Sequence, residues 1–233
     1  MSSRNIVERA REVGLDIIAI TDHNVVENGL YAQIAARESG VCVLLGMELQ
    51  TTEEVHLLVI LPDRETAMEL QDLVYGRLPD MKNDPEYFGD QVVVDEKDSI
   101  VRFEDRLLLN SSNISLDEAV SWVKAHGGLV VPSHIDSPTF SIISQLGYVP
   151  ADVPFDALEI AKKERLKKIL NFILAKDIPL VTFSDAHYLK DIGRRRISLS
   201  MDEPGFAGVA KALKDFGDTV RMYEDGEKDP RAC

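Results

Sequence analysis

The architecture of this chain can be inferred from one segment, Leu15-Asp-Ile-Ile-Ala-Ile-Thr-Asp-His-Asn24. Its first six residues are mostly apolar and rich in β-branched isoleucine, as is typical of a strand buried in a parallel sheet. Helical spacing of apolar residues over 4–13 predicts a helix before this strand, and Gly14 can supply its left-handed C-terminal cap. A carboxylate and an imidazole, Asp22 and His23, therefore come directly after a predicted strand.

Helices and strands alternate along the rest of the chain. Further strands are predicted at 41–45, 55–61, 129–132, 157–160 and 179–183. Further helices are predicted at 28–39, 64–76, 115–126 and 164–175. This order predicts the α/β class, built from parallel βα units that close into a barrel or form an open, doubly wound sheet.

The composition predicts one acidic, globular domain over residues 1–233, because this length suits a single α/β barrel and 45% of the residues are hydrophobic. The net charge of −14 argues against a basic surface that holds long tracts of nucleic acid, but not against a nucleotide bound through metal ions. No apolar segment approaches the ~18 residues of a membrane span. The two cysteines, Cys42 and Cys233, offer no disulfide framework, so we expect a reducing, cytoplasmic location without membrane attachment.

Two segments depart from the alternation of helices and strands. Residues 78–110 are polar and carry Pro79, Pro85 and Gly89, and we interpret them as an insertion or lid because so few residues cannot bury a core of their own. The charged residues 223–233 are predicted to be a flexible tail.

Histidines and carboxylates collect where the predicted strands end. His23 and His134 each follow a strand, Asp185 and His187 follow the strand at 179–183, and Glu48 comes shortly after the strand at 41–45. Because the carboxyl ends of parallel strands share one face, these side chains are expected to converge there. Imidazole and carboxylate groups are ligands of borderline or hard divalent ions, so the pattern predicts a metal site.

His56 lies at the start of a strand, but a tight reversal after Glu48 would return it to the same face. The i, i+2 spacing of Asp185 and His187 places both on one side of an extended segment. Taken singly, each residue has an alternative explanation without a metal: it can cap a turn, be a solvated carboxylate or be an ordinary histidine of a strand. The joint pattern favours the metal site, whereas His126 at a predicted helix C-terminus is given a structural role.

At these residues the sequence resembles the PHP (polymerase and histidinol phosphatase) domain family. The resemblance covers residues 4–222 and is carried by five motifs, namely Ile20-Thr-Asp-His-Asn24, Gly46-Met-Glu48, His56 before an apolar strand, Pro132-Ser-His134 and Ser184-Asp-Ala-His187. It implies a distorted (β/α)7 barrel with up to three divalent ions (Mn, Zn or Fe) at the carboxyl ends of the strands. Its implied activity is hydrolysis of phosphoesters.

The resemblance also implies a role for each matching residue. Glu48 and Asp185 correspond to carboxylates that bridge or border the first metal, and with His134 they are the implied catalytic residues. Glu48, His56 and His134 correspond to ligands of the second metal, and His23 and His187 to ligands of the third. The implied reaction is attack of a metal-activated water on a phosphomonoester or a nucleotide-type phosphoester.

The sequence departs from the family pattern at its beginning. Family members open with a strand that ends in His-x-His, but this chain has no histidine before His23. A misassigned start codon, a fragment and a divergent member with an incomplete site are the three explanations, and we favour a truncated start. We therefore expect a barrel that lacks its first strand and holds fewer than three metals, and its open edge could be covered in a homo-oligomer.

Lys162 and Arg194 are candidates for holding a substrate phosphate, because Lys162 follows the predicted strand at 157–160 and Arg194 comes soon after His187; a solvated surface charge is the alternative for both. The leading functional hypothesis is a metal-dependent phosphoesterase that acts on a small phosphorylated metabolite or nucleotide. The alternatives are an exonuclease that acts on oligonucleotide ends and a degenerate PHP module that binds metal without turnover.

Overall fold

A computed structural model describes residues 1–175, 177–217 and 220–224, except for the side chain of residue 224. The helices of these residues are α1 (Ser3–Glu12), α2 (Glu27–Ala35), α3 (Arg64–Arg77), α4 (Pro85–Phe88), α5 (Leu116–Ala125), α6 (Ile142–Leu146), α7 (Leu166–Ile169) and α8 (Phe206–Lys214). The strands are β1 (Ile17–Ile20), β2 (Cys42–Gln50), β3 (His56–Leu61), β4 (Val92–Val94), β5 (Ile100–Phe103), β6 (Leu129–Pro132), β7 (Leu158–Glu159), β8 (Leu180–Val181), β9 (Arg195–Leu199) and β10 (Val220–Glu224).

The main sheet has four strands in the order β1-β2-β3-β6. β1 and β2 are parallel, whereas β3 runs antiparallel to both of its neighbours. β3 reverses because the connection from β2 is a short turn, closed by hydrogen bonds from Thr51 N to Val55 O (3.0 Å) and from Glu54 N to Thr51 O (3.0 Å), and a parallel neighbour would need a long crossover. The units are therefore not all parallel, and β3 is the strand that the reversal expected after Glu48 turns back beside β2.

The other strands form three pairs, a parallel pair of β7 with β8 and antiparallel pairs of β4 with β5 and of β9 with β10. β6 and β7 lie side by side, joined by hydrogen bonds from Asp156 N to Val130 O (2.9 Å) and from Ile135 N to Glu159 O (2.8 Å). The predicted α/β class is confirmed. A closed (β/α)7 barrel is not found among the described strands, where β7 and β8 are only two residues long and form a sheet of their own.

Two apolar clusters cover the two faces of the sheet. Met47 in β2 and Leu57 in β3 pack with α3 and α5 on one face. Leu58 of β3 and Val131 of β6 pack with α8 on the other face. Successive side chains of a strand alternate between faces, so the even-numbered residues of β2 and β3 lie on the side opposite α3 and α5.

Local signals in the sequence position the helices. Ser2 caps α1 by accepting a hydrogen bond from Asn5 N, and Ser115 caps α5 by accepting one from Glu118 N. Gly14 and Gly127, with φ values of 72° and 74°, follow the ends of these helices in the left-handed region. No helix of the described residues has the length and apolar character needed to cross a membrane.

The prediction of a helix at 164–175 is wrong. The segment instead forms the single turn α7 between two 3₁₀ turns, Lys163–Arg165 and Leu170–Phe172. The reason is a tertiary pairing with Val149, which donates to Phe172 O (2.7 Å) and accepts from Leu174 N (3.1 Å). This pairing draws the chain into an extended form where a helix would have continued.

The predicted insertion at 78–110 contains α4, β4 and β5, and it docks on α2. Asn28 of α2 donates to Val92 O (3.2 Å) and accepts from Val94 N (3.0 Å), and Arg102 of β5 forms an ion pair with Glu27. At the other end of the chain, β10 extends two residues into the predicted tail. Residues 225–233 of that tail lie outside the described residues.

Candidate metal centre

Glu48 and His56 lie on the same face of the sheet. In the antiparallel register Glu48 pairs with Leu58, and Gln50 pairs with His56. Residues paired across strands, and residues two apart on one strand, point to the same side. The predicted reversal that returns His56 to Glu48 is thus what the strands form.

His23 and His134 reach Glu48 from the ends of β1 and β6. Beyond β1, Glu48 N donates to Asp22 O (3.1 Å) and Asn24 N donates to Glu48 O (3.1 Å), so His23 lies beside Glu48. Beyond β6, Ser133 N donates to His56 O (3.0 Å), which holds His134 next to the start of β3. Four residues that are distant in sequence therefore meet at the edge of one sheet.

The Glu48 carboxylate is the centre of this cluster. Its Oε2 lies 3.3 Å from His23 Nδ1, and its Oε1 lies 3.3 Å from His56 Nδ1 and 3.7 Å from His134 Nε2. The rings of His23 and His134 stand edge-on to that of His56, with centroids 5.3 and 5.4 Å away. The donor atoms of His23, Glu48 and His56 all lie within 4.8 Å of one another.

This set of donors fits a divalent metal ion. Nδ1 of His23 and Nδ1 of His56 are buried, and neither makes a hydrogen bond of normal geometry to another described residue. Buried polar atoms almost always have a partner, so two imidazole nitrogens left unpaired beside one carboxylate indicate a missing ligand. Nitrogen and oxygen donors together suit Zn²⁺, Mn²⁺ or Fe²⁺.

The protonation states also suit a metal. Burial raises the pKa of Glu48, but the interaction with His56 and the charges of His23 and His134 outweigh it and bring the pKa to about 2. Burial lowers the pKa of His23 and that of His134, against the opposing charge of Glu48. The site therefore favours an ionised carboxylate at Glu48 and neutral imidazoles at His23 and His134, which are the forms that bind metal.

Asp185 and His187 lie in the loop after β8, at the border of the cluster. His187 Nδ1 is 3.7 Å from Asp185 Oδ1, and the side chains are 68% and 41% exposed, respectively. The charge of Asp185 acts to raise the pKa of His134, and that of His187 acts to lower the pKa of His23. The two residues thus lie near enough to the Glu48 cluster to interact with it electrostatically, although neither contacts Glu48 within the described part of the chain.

The two candidate phosphate-binding residues differ in their surroundings. Arg194 donates from Nε to Ser184 O (2.7 Å) and from its second terminal nitrogen to Asp185 O (3.2 Å), so its guanidinium braces the loop that carries Asp185. The Lys162 side chain is exposed, and its backbone N donates to the buried carboxylate of Asp136 (3.1 Å). Of the two, Lys162 is the one whose side chain points into solvent.

Sequence reasoning missed two residues of the site. Glu159 of β7 is buried, and its Oε2 accepts a hydrogen bond from His134 N (3.0 Å); burial, reinforced by the charges of Asp185 and Glu48, raises its pKa to about 8. A charged residue inside the apolar run Ala157-Leu-Glu-Ile160 is a signal that could have identified it. Phe140 stacks on the ring of His56, and no sequence pattern indicates this contact.

The geometry agrees with the family comparison. The PHP domain matches residues 1–129, which is more than half of the 233 residues. The chain belongs to the PHP domain family, and the predicted recognition is confirmed.

One bacterial protein and one archaeal protein are similar in sequence to this chain. Over 92% of its length the chain is 25% identical to the uncharacterized protein YqxK of Bacillus subtilis, and the match covers 55% of that protein. A segment of 50 residues, 22% of the chain, is 42% identical to the uncharacterized protein MJ1587 of Methanocaldococcus jannaschii and covers 29% of it. The matches thus span about half or less of the length of these relatives.

Solved structures share the fold. The lesion-specific endonuclease EndoQ of Pyrococcus furiosus has a TM-score of 0.64 at 19% identity, and the match covers 95% of this chain and 53% of EndoQ. A protein of Bifidobacterium adolescentis that is inferred to be a metal-dependent phosphoesterase has a TM-score of 0.55 at 20% identity, with 91% and 90% covered. At these identities the likeness shows a fold of the PHP type.

Proposed function

We propose that this protein is a metal-dependent phosphoesterase that hydrolyses a phosphomonoester or a nucleotide-type phosphoester. The observation that carries the proposal is the Glu48 carboxylate within 3.3–3.7 Å of three imidazoles, each of which has a buried nitrogen without a hydrogen-bond partner among the described residues. A small phosphorylated metabolite or a nucleotide is the proposed substrate, and Mn, Zn or Fe the proposed metal. The cytoplasmic location and a homo-oligomeric state remain parts of the proposal.

The residues of the candidate metal centre would have different roles in this reaction. His23, Glu48 and His56 would hold one ion, with His134 completing their shell, and Asp185 and His187 would add ligands at the border. When bound, divalent ions supply Lewis acidity toward a phosphoryl oxygen and toward the attacking water. Glu48 and Asp185 would serve as carboxylate ligands, the backbone contact of His134 with Glu159 would hold His134 beside Glu48, and Lys162 would attract the phosphate.

A nuclease is the second candidate, because the fold resembles that of EndoQ, a DNA endonuclease. The charge of −14 favours action at an end or a single site over the holding of a long tract. A module that binds metal without turnover is the third candidate. The finer fold assignment, a distorted (β/α)7 barrel that lacks its first strand, also remains a proposal; it is supported by β1 being an edge strand, paired only with β2 among the described strands.

Metal analysis and a phosphoesterase screen test the proposal together. We expect at least one Mn²⁺ or Zn²⁺ per chain after addition of metal, and hydrolysis of a phosphomonoester or diester that His134→Ala abolishes. His126→Ala is the matched control, because His126 is exposed and stacks on Trp122 instead of facing the site. Metal binding without hydrolysis would favour the non-catalytic module, and activity on oligonucleotides alone would favour the nuclease.

A further inference from the structure

Phe140 and His56 are joined by both side chain and backbone. The two rings lie flat against each other, with centroids 4.9 Å apart and an angle of 6° between their planes. His56 N also donates a hydrogen bond to Phe140 O (2.9 Å). Phe140 comes from the loop between His134 and α6, so this loop packs against His56 of the candidate metal centre.

The described residues offer the His56 ring few contacts that could orient it. A metal-binding histidine usually donates its second ring nitrogen to a carboxylate, a carbonyl or water. Apart from the 3.3 Å contact of Nδ1 with Glu48, the His56 ring has no polar partner among the residues described. The rings of His23 and His134 meet it edge-on, and Phe140 is the described ring that stacks flat on it.

Phe140 adopts a backbone conformation that bulky residues avoid. Its φ is 54°, in the left-handed region. The neighbouring residues hold it there: Ser141 Oγ donates to Ser137 O (2.7 Å), Ser137 N donates to His134 O (2.7 Å), and Ser141 forms a capping box with Ser144. A strained conformation of this kind persists where the surroundings impose it, and such places cluster at functional sites. Burial of the ring does not account for the strain, because Phe140 remains 40% exposed.

We propose that Phe140 is a positioning residue, whose stacked ring fixes the orientation of the His56 imidazole toward Glu48 and the metal. The inference rests on the proposed metal centre and on no particular substrate.

Metal affinity in a series of Phe140 variants tests this role. Phe140→Gly removes the ring and suits the positive φ, Phe140→Leu keeps an apolar side chain without a flat face, and Phe140→Tyr keeps the ring. We expect Zn²⁺ or Mn²⁺ to bind roughly 10–100-fold more weakly to the Gly and Leu variants, as for loss of other orienting partners. Phe140→Tyr should bind close to wild type, and Phe103→Leu, which alters an exposed phenylalanine of β5, should bind like wild type.

Two further readouts separate positioning from general stability. The melting temperature of the metal-free Phe140→Gly variant should stay near that of wild type, since relief of the strained φ offsets part of the packing lost with the ring. The visible spectrum of the Co²⁺-loaded protein should change in the Gly and Leu variants only. Equal metal affinity in wild type and Phe140→Gly would overturn the inference, and so would a Tyr variant as weak as the Gly variant. If wild type binds no metal, the proposed function fails as well, whereas metal binding without phosphoesterase activity leaves this inference standing.

Discussion

At the scale of single residues, Glu48 determines what the site can bind. A buried carboxylate is costly unless it is paired, and here three imidazoles surround it. Two of them, His23 and His134, have lowered pKa values, so the carboxylate is only partly compensated in the metal-free protein. A cation would supply the missing charge and use the unpaired nitrogens at the same time.

Glu48→Gln should weaken metal binding strongly. Glutamine has the same shape but no charge, so the ion loses its central anionic ligand while the packing is retained. We expect the dissociation constant for Mn²⁺ or Zn²⁺ to rise by roughly 100-fold or more, since changes outside the ligand set already cost 10–100-fold. Titration calorimetry checks this, with the exposed Glu69→Gln as the control that should leave affinity unchanged.

Glu159→Gln should change how the stability of the metal-free protein depends on pH. The pKa of Glu159 is about 8 in the fold, against 4.5 as its ordinary value, so between these pH values folding takes up a proton. Its contribution to stability is fully present below pH 4.5 and is lost as the pH rises through 8. We expect glutamine, which does not ionise, to remove a slope of roughly 1.4 kcal/mol per pH unit from the free energy of unfolding.

Denaturant titrations from pH 5 to pH 8 in the presence of a chelator measure this slope. A Glu159→Gln variant whose stability falls with pH as steeply as that of wild type would contradict the assignment. Glu69→Gln, at an exposed position of α3, should keep the wild-type slope.

At the scale of elements, the reversal from β2 to β3 brings the ligands together. The sequence was sufficient to place β1, β3, β6 and the capped helices α1 and α5 within a few residues, because apolar runs and capping residues are local signals. It was not sufficient for the segment 164–175, where Val149 pairs with the backbone at residues 172 and 174. Such pairings depend on residues far along the chain.

The pairing of β2 with β3 depends on Gly46, a residue of β2 without a side chain. A Cβ at Gly46 would lie 2.7 Å from Val59 O and 2.8 Å from Thr21 Cγ2, so Gly46→Ala must push β3 and the end of β1 away from β2. We expect a loss of about 1–3 kcal/mol in the free energy of unfolding, as for other overpacked interiors, together with weaker metal binding because Glu48 and His56 shift.

Gly76→Ala is the matched control for this prediction. A Cβ at Gly76 in α3 meets no atom within 4 Å, so alanine there should be neutral or stabilise the protein by up to about 1 kcal/mol. Chemical denaturation and metal titration of both variants give the comparison. A Gly46→Ala protein as stable as wild type would show that the strands can separate without cost.

At the scale of the whole molecule, metal binding should be coupled to folding. The ligands come from β2 and β3 and from the ends of β1 and β6, which span residues 23–134, so an ion can bind them together only in the folded chain. A ligand that binds only the folded state at about 100 times its dissociation constant stabilises it by about 2.7 kcal/mol. We expect Mn²⁺ or Zn²⁺ to raise the melting temperature and a chelator to lower it. His134→Ala should respond less than wild type in differential scanning calorimetry, and His126→Ala equally.

The sequence by itself determined the α/β class and the PHP family. It also determined which residue types are available as ligands, since strand periodicity and the spacing of His, Asp and Glu are properties of the chain. Only the tertiary structure decided that Glu48 lies among three imidazoles, that Glu159 supports His134 and that Phe140 stacks on His56. It also showed Arg194 bound to the carbonyls of Ser184 and Asp185. The physical reason is that charge, burial and pKa depend on distances of a few ångströms between residues that are dozens of positions apart, and no local pattern encodes those distances.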